Sequence, residues 1–173
     1  TPRGSEGKGA TMKITVIGMG NELLSDDGAG ICAARHLQTI FQDHPCVHVE
    51  ASTWGGFRFI DLLAGYDAAI IIDAIQTGRK PVGYIHRMHA EALIHSVRMI
   101  SFHDINFATA LSFARALEIP MPEDITVFAI EVADIHTISE NLHPLVMNAV
   151  ERCVENVVST LNEKFSLASY PYV

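Results

Sequence analysis

The sequence predicts an α/β fold: a three-layer α/β/α sandwich whose mostly parallel sheet has about five strands, with one antiparallel edge strand. Three observations lead to this prediction. Short apolar runs typical of strands alternate with longer segments of helical periodicity. The run at 68–72 is continuously apolar, as in a parallel strand that is buried on both faces. A glycine-rich turn joins the first strand pattern to the first helix pattern, as in sheets that bind ligands at their carboxyl edge.

The first half of the domain has the patterns of three strands and two helices. Strands are predicted at 12–18, 47–51 and 68–72, where apolar residues are concentrated in short runs. A helix is predicted at 27–41, because its apolar residues recur at helical spacing. A shorter helix is predicted at 59–63, after a loop that contains two glycines.

The second half contributes two more strands and two more helices. The strand at 82–88 follows the central one too closely for a helical crossover, so it is predicted to be antiparallel and at an edge. A helix at 104–117 ends before Pro120. A last strand is predicted at 125–132, and Pro144 then starts the final helix as an N1 proline does.

Composition restricts the class of protein and of partner. The chain has 173 residues, of which 49% are hydrophobic, and a formal net charge of -8 at pH 7. A globular domain of this length can bury a substantial core, whereas an acidic chain is a poor partner for nucleic acid or an anionic membrane surface. No apolar run approaches the roughly 20 residues of a membrane-spanning helix. The three cysteines lack paired spacing, which predicts reduced thiols in a cytoplasmic protein.

We expect one α/β domain at residues 12–165. Residues 1–11 are rich in Gly and Ser and show no periodicity, so they are expected to be a leader or a tag remnant outside the fold. Residues 166–173 are expected to form a C-terminal tail. No internal repeat or linker divides the chain.

The loop at 18–30 is the most distinctive motif of the chain. Gly18 and Gly20 allow a tight turn, and Asp26 or Asp27 can cap the following helix. A dinucleotide fingerprint needs a third glycine where Leu23 stands. Two carboxylates at the helix N-terminus would also repel a pyrophosphate. The loop is therefore predicted to favour a cation over an anion.

Three polar residues lie at the ends of predicted elements: Asp27 and Asp73 follow strand patterns, and His103 precedes a helix pattern. A parallel sheet would bring these positions together at its carboxyl edge. Each has an ordinary alternative role, as a helix cap, a turn cap and a loop histidine respectively. Two carboxylates about 5 Å apart repel by roughly 3 kcal/mol at an effective dielectric near 20, so one would hold a proton unless a cation lay nearby. Two oxygens and one imidazole nitrogen suit a borderline divalent ion such as nickel or zinc.

Other polar residues are interpreted as structural. Glu131 is expected to be a solvated carboxylate at a strand end. Ser25 has no evident partner base, and Cys32 lies beside an apolar helix stripe, so neither is expected to be a nucleophile. Three further histidines are expected on the solvated surface: His86, His89 and His95.

The run Gly18-x-Gly20-Asn21-x-Leu23-Leu24-x-Asp26-Asp27-Gly28-x-Gly30 closely resembles the opening motif of the [NiFe]-hydrogenase maturation proteases. The segment Ile72-Asp73-Ala74, the His103 loop and the helix entry at Pro144 follow in matching order and spacing. The resemblance covers roughly 12–163, nearly the whole domain.

This resemblance implies a cytoplasmic endopeptidase that removes the C-terminal extension of a hydrogenase large-subunit precursor after nickel insertion. It also implies that Asp27, Asp73 and His103 contact the nickel, which the substrate supplies; other divalent ions can occupy the same site. We expect the metal to polarise the scissile carbonyl or a water, with Asp27 or Asp73 as general base. A monomer is expected, with no nucleic-acid or membrane partner.

Two other functions remain open from the sequence. One is a non-catalytic, nickel-dependent maturation chaperone, which would recognise the loaded precursor without cutting it. The other is a nucleotide-binding module, which nucleotides rather than divalent metals would protect from unfolding.

Overall fold

The computed structural model describes residues 12–53, 58–90 and 107–165. Within these ranges the chain forms one sheet with helices packed on both faces. The strands are β1 (Ile14–Met19), β2 (Val47–Ser52), β3 (Ala68–Ile75), β4 (Ile85–His89) and β5 (Asp124–Glu131). The helices are α1 (Ala29–Ile40), α2 (Arg58–Leu63), α3 (Phe107–Ala116) and α4 (Pro144–Phe165).

The sheet has the strand order β2-β1-β3-β5-β4. β1 pairs in parallel with both β2 and β3, and β3 pairs in parallel with β5. β4 pairs antiparallel with β5 at the edge. This arrangement confirms the predicted fold class, including the antiparallel edge strand.

Two apolar layers cover the two faces of the sheet. The larger core lies between the sheet and helices α1 and α4, and includes Val16, Ile70 and Phe128. The second core lies on the opposite face with α2 and α3, and includes Ile71 and Leu111. Alternate residues of the central strands enter opposite cores, which explains why β3 is continuously apolar.

Some element boundaries differ from the predicted ones. The predicted first helix begins instead with a 3-10 turn at Ser25–Gly28, and α1 follows from Ala29. β3 continues three residues beyond 72, to Ile75. β4 begins at Ile85 because residues before it form a turn, in which the Tyr84 amide donates to the Pro81 carbonyl at 3.0 Å. Residues 104–106 of the predicted third helix lie outside the described residues.

The order of the strands fixes the position of the candidate site. The connection after β1 leads to β2 on one side, whereas the next strand, β3, lies on the other side of β1. In such sheets the usual ligand position is the crevice at the point where the strand order reverses, which here lies between the carboxyl ends of β1 and β3. The loop at 18–30 leaves β1 at this crevice.

The predicted leader (1–11) and tail (166–173) both lie outside the described residues. Over the residues that are described, no helix combines the length and the apolar character needed to cross a membrane.

Candidate functional site

The loop between β1 and α1 folds back on itself, and Gly20 makes this possible. Gly20 has a φ of +142°, which side chains disfavour, and a Cβ at this position would overlap the Asp27 carbonyl oxygen. The Asp27 amide donates to the Leu24 carbonyl at 3.1 Å. Asp27 is thus held in the 3-10 turn, which packs against β3.

Asp26 anchors this loop to the segment between β5 and α4. The residue is fully buried. Its Oδ2 accepts hydrogen bonds from the amides of Ala133 and Asp134, both at 3.1 Å, and its Oδ1 accepts one from the His143 amide at 2.6 Å. The expectation that Asp26 or Asp27 caps the first helix was wrong, since the N-cap of α1 is Gly28 and no side chain caps it.

A second contact joins the same two loops. The Ser25 amide donates to the Ser139 carbonyl at 2.7 Å, and the Ser139 amide donates to the Leu23 carbonyl at 3.0 Å. Ser25 Oγ donates to the Asn141 carbonyl at 3.2 Å, which is a structural contact and not that of an activated nucleophile. The loop that carries Asp27 is therefore fixed on both sides.

Asp73 lies at the crevice between β1 and β3. The pairing of β3 with β1 ends at Ile72, opposite Gly18, whereas Asp73 still pairs with Ala129 on the β5 side. Asp73 therefore lies near the loop of Asp27, at the point where the two strands separate. The side chain is partly buried, and its Oδ1 accepts a hydrogen bond from the Ala74 amide at 2.8 Å.

The two carboxylates interact electrostatically. The pKa of Asp73 is raised to about 8: burial is the largest cause, the hydrogen bond from the Ala74 amide acts in the opposite direction, and the Asp27 charge adds a smaller upward effect. Asp27 itself is 8% exposed. At neutral pH Asp73 therefore holds a proton when no cation is near, mainly because it is buried; the repulsion that the sequence argument invoked is the smaller contribution.

His103, the third predicted site residue, lies outside the described residues. Among the residues that are described, no cluster of three or more His, Cys, Asp or Glu side chains is arranged to hold a metal ion. Asp27 and Asp73 alone are thus the part of the predicted ligand set that the structure brings together.

Glu131 was wrongly predicted to be solvated. It is 1% exposed. Its carboxylate accepts hydrogen bonds from the amides of Thr77 and Gly78 at 2.7 and 2.8 Å and from the Thr77 hydroxyl at 2.9 and 2.8 Å. Burial raises the pKa of this carboxyl, but the hydrogen bonds from His86, Thr77 and Gly78 outweigh burial and hold the pKa below its usual range.

His86 was also wrongly assigned to the solvated surface. Its side chain is 15% exposed and its Nε2 lies 2.9 Å from Glu131 Oε2. Its ring packs against that of Tyr84 in a T-shaped arrangement, with the centroids 4.8 Å apart. His89 is exposed as predicted, with a side-chain accessibility of 62%, and His95 lies outside the described residues.

The three thiols are free, as predicted. Cys153 is fully buried, and burial raises its pKa to about 12. Burial also raises the pKa of Cys32. Thiols with raised pKa values are weak nucleophiles at neutral pH, so these two are unsuited to covalent catalysis.

Comparison with known proteins agrees with the predicted fold. The family model for HycI, a hydrogenase maturation protease, matches residues 31–160. The hydrogenase expression/formation protein HupD of Thiocapsa roseopersicina is 22% identical over 151 residues, which are 86% of this chain and 67% of HupD.

Two solved structures are similar over most of their length. The hydrogenase maturating endopeptidase HybD from E. coli has a TM-score of 0.75 and 26% identity, covering 89% of this chain and 94% of HybD. The [NiFe] hydrogenase maturation protease HybD from Thermococcus kodakarensis shares the fold, with a TM-score of 0.65 and 23% identity over 86% of this chain and 98% of that one. The chain therefore belongs to the hydrogenase maturation protease family and is a peptidase.

Proposed function

We propose that this peptidase removes the C-terminal extension of a [NiFe]-hydrogenase large-subunit precursor after nickel has been inserted. Membership in the hydrogenase maturation protease family supports the reaction class. The observation that carries the nickel dependence is the meeting of Asp27 and Asp73 at the crevice between β1 and β3, where burial and mutual repulsion raise the pKa of Asp73. A divalent cation would stabilise such a site, because it would offset the cost of ionising two neighbouring carboxyl groups.

The proposed ligands are Asp27, Asp73 and His103, and the nickel belongs to the substrate. A divalent ion next to the two carboxylates would remove their repulsion and favour the ionised form of both. Two oxygens and one imidazole nitrogen leave coordination positions open for ligands from another polypeptide. Such a partial set suits the recognition of an ion that the precursor already holds. Other divalent ions are expected to occupy the same positions in its place.

The proposed chemistry is hydrolysis with a carboxylate as general base. Asp27 or Asp73, once ionised, would take the proton of the water that attacks the scissile carbonyl. The nickel of the substrate supplies positive charge beside that carbonyl. Asp26 contributes by fixing the loop of Asp27 through its three amide hydrogen bonds, which keeps the base in one position.

The partner of this reaction is the large-subunit precursor, and we propose that the protein acts as a monomer in the cytoplasm, where the free thiols stay reduced. A nickel-dependent chaperone would use the same site without cutting, but membership in a protease family favours cleavage. The buried acidic pair at the start of α1 disfavours a nucleotide phosphate.

The test is to incubate nickel-loaded precursor with the protein and follow the precursor mass. We expect cleavage with the unaltered protein and with Asp61→Asn, a matched control on α2 whose carboxylate is exposed. We expect Asp27→Asn, Asp73→Asn and His103→Ala each to lower the cleavage rate by about 10²-fold or more.

Two outcomes would contradict the proposal. Undiminished cleavage by both Asp73→Asn and His103→Ala would show that these residues do not serve the reaction. A precursor that binds the unaltered protein only when it contains nickel, but keeps its full mass, would instead indicate a chaperone.

A further inference from the structure

Asp73 and His86 lie in one row across the sheet, with a single residue between them. Ala129 of β5 pairs with Asp73 of β3 on one side and with His86 of β4 on the other. Because neighbouring strands are about 4.8 Å apart, the Cα atoms of Asp73 and His86 are separated by about 10 Å. The two side chains, together with one peptide group of a substrate placed between them, can span this distance.

The three side chains of this row project from the same face of the sheet. In-register residues of paired strands share a face. The flanking residues Ile71 and Val127 belong to the core under α2 and α3, and Met88 packs against that core. Residues two positions along each strand face the same side, so Asp73, Ala129 and His86 also face the side of α2 and α3.

Glu131 holds His86 in a defined orientation. Its Oε2 lies 2.9 Å from His86 Nε2, while Thr77 and Gly78 occupy the remaining acceptor capacity of the carboxylate. A carboxylate on one ring nitrogen fixes the tautomer of a histidine and stabilises its imidazolium form. Within the described part of the chain, His86 Nδ1 has no hydrogen-bond partner. The second ring nitrogen is thus available for proton transfer.

We propose that His86, oriented by Glu131, is a further catalytic residue that donates a proton to the leaving nitrogen of the scissile peptide. The inference rests on the proposed function, in which Asp27 or Asp73 is the general base. It assigns the proton donor of the leaving nitrogen to a group other than the general base. A leaving amine must be protonated as the C–N bond breaks.

The proton balance of the reaction closes. As the water oxygen bonds to the carbonyl carbon, the carboxylate takes one proton from that water. As the C–N bond breaks, the nitrogen takes the proton on Nδ1 of the His86 imidazolium. The proton on the carboxylate then returns to His86 through solvent, so that one water is consumed and the protein is unchanged.

A purely structural role for His86 makes a different prediction. In that case the ring only ties β4 to the turn that holds Thr77 and Gly78, and any donor that reaches Glu131 would serve. Glutamine keeps an N–H donor at the end of a chain of similar length but cannot transfer a proton. The variant His86→Gln therefore separates the two roles.

The experiment compares unaltered protein, His86→Gln and His89→Gln in the nickel-loaded precursor assay, with kcat, KM and Tm measured for each. His89 is the matched control, because it lies on the same strand but is exposed and not paired with Glu131. We expect His86→Gln to lower kcat by about 10²-fold with KM changed less than about threefold, since general acid catalysis contributes on this order. We expect His89→Gln to match the unaltered protein, and all three to have similar Tm values.

The outcomes distinguish this inference from the proposed function. If the unaltered protein does not cut the precursor, the proposed function fails and this inference fails with it. If the unaltered protein and His86→Gln cut with equal kcat, only the role of His86 is overturned. Should His86→Gln fail to fold, the smaller His86→Asn is measured in its place, and a kcat equal to that of unaltered protein overturns the inference.

Discussion

Asp26 Oδ1 lies 2.6 Å from the main-chain nitrogen of His143, and this hydrogen bond joins the loop before the first long helix to the loop before the last. The two residues are 117 positions apart in sequence. Because Asp27 follows directly, the position of the candidate base depends on a contact that its neighbour makes. Asp26 therefore has a structural role, whereas the proposed chemical role belongs to Asp27.

Replacing Asp26 tests this division. Asp26→Ala removes the side-chain acceptor of three partly buried hydrogen bonds, those from the amides of Ala133, Asp134 and His143, and each loss of such an acceptor is costly. We expect the free energy of unfolding to fall by about 2–4 kcal/mol, which lowers Tm by about 5–15 °C in a chain of this size. Thermal unfolding followed by circular dichroism measures the change. The control Asp61→Asn should leave Tm unchanged, and an equal Tm for Asp26→Ala would refute the anchoring role.

The parts of this molecule that were predicted from sequence depend on local patterns or on general rules of topology. The continuous apolar run of β3 identified the central strand, because a strand that is buried on both faces needs apolar residues at consecutive positions. The approach of Asp27 to Asp73 followed from the rule that parallel strands collect their loops at one edge. Both inferences needed no knowledge of distant side chains.

Glu131 and His86 were missed because their environment is made by residues far along the chain. The donors to Glu131 are 54 and 45 positions away, in a turn and an edge strand whose packing has no local signature. A lone carboxylate at a strand end is usually solvated, so its burial depends on tertiary structure. The position of His103 stays a prediction.

The raised pKa of Asp73 predicts how stability depends on pH. The folded protein binds a proton on Asp73 up to about pH 8, whereas the unfolded chain releases it near its ordinary pKa of 3.8. The folded state therefore holds more protons between these values, and the free energy of unfolding falls as pH rises from about 4 to about 8.

Asp73→Asn removes this contribution. We expect the variant to be more stable than the unaltered protein at pH 8 by about 1–3 kcal/mol, because it avoids the cost of burying a charge and the smaller repulsion from Asp27. We also expect it to show a flatter stability profile between pH 4 and 8. Urea unfolding at several pH values measures both quantities. If the free energy of unfolding changed with pH equally in the variant and the unaltered protein, the raised pKa of Asp73 would be contradicted.

Glu131 affects the pH dependence of stability in the opposite direction to Asp73. Its folded pKa lies below the ordinary value, so its stabilising effect is present at neutral pH and is lost as pH falls through the folded pKa. Glu131→Gln keeps the volume but places an amide group among donors from Thr77 and Gly78. We expect a loss of about 2–3 kcal/mol at pH 7, shrinking below pH 4. Glu123→Gln, an exposed control just before β5, should be neutral at both pH values.

Gly30 tests the close packing of α1 on the sheet at the candidate site. An alanine in a helix is normally more stable than a glycine by up to about 1 kcal/mol. Here a Cβ would overlap the Met19 carbonyl oxygen and lie 2.5 Å from that of Ile72, and both atoms are main chain and cannot rotate away. We therefore expect Gly30→Ala to reverse the usual sign and destabilise the protein by about 2 kcal/mol or more.

The strain from Gly30→Ala falls on the carboxyl ends of β1 and β3, which position the Asp27 loop and Asp73. Cleavage should therefore decrease even under conditions in which the variant is fully folded. The matched control is His36→Ala, an exposed position on the same helix, which should keep both stability and cleavage. A Gly30→Ala variant as stable and active as the unaltered protein would mean that α1 can move away from the sheet without disturbing the crevice, contrary to the packing described above.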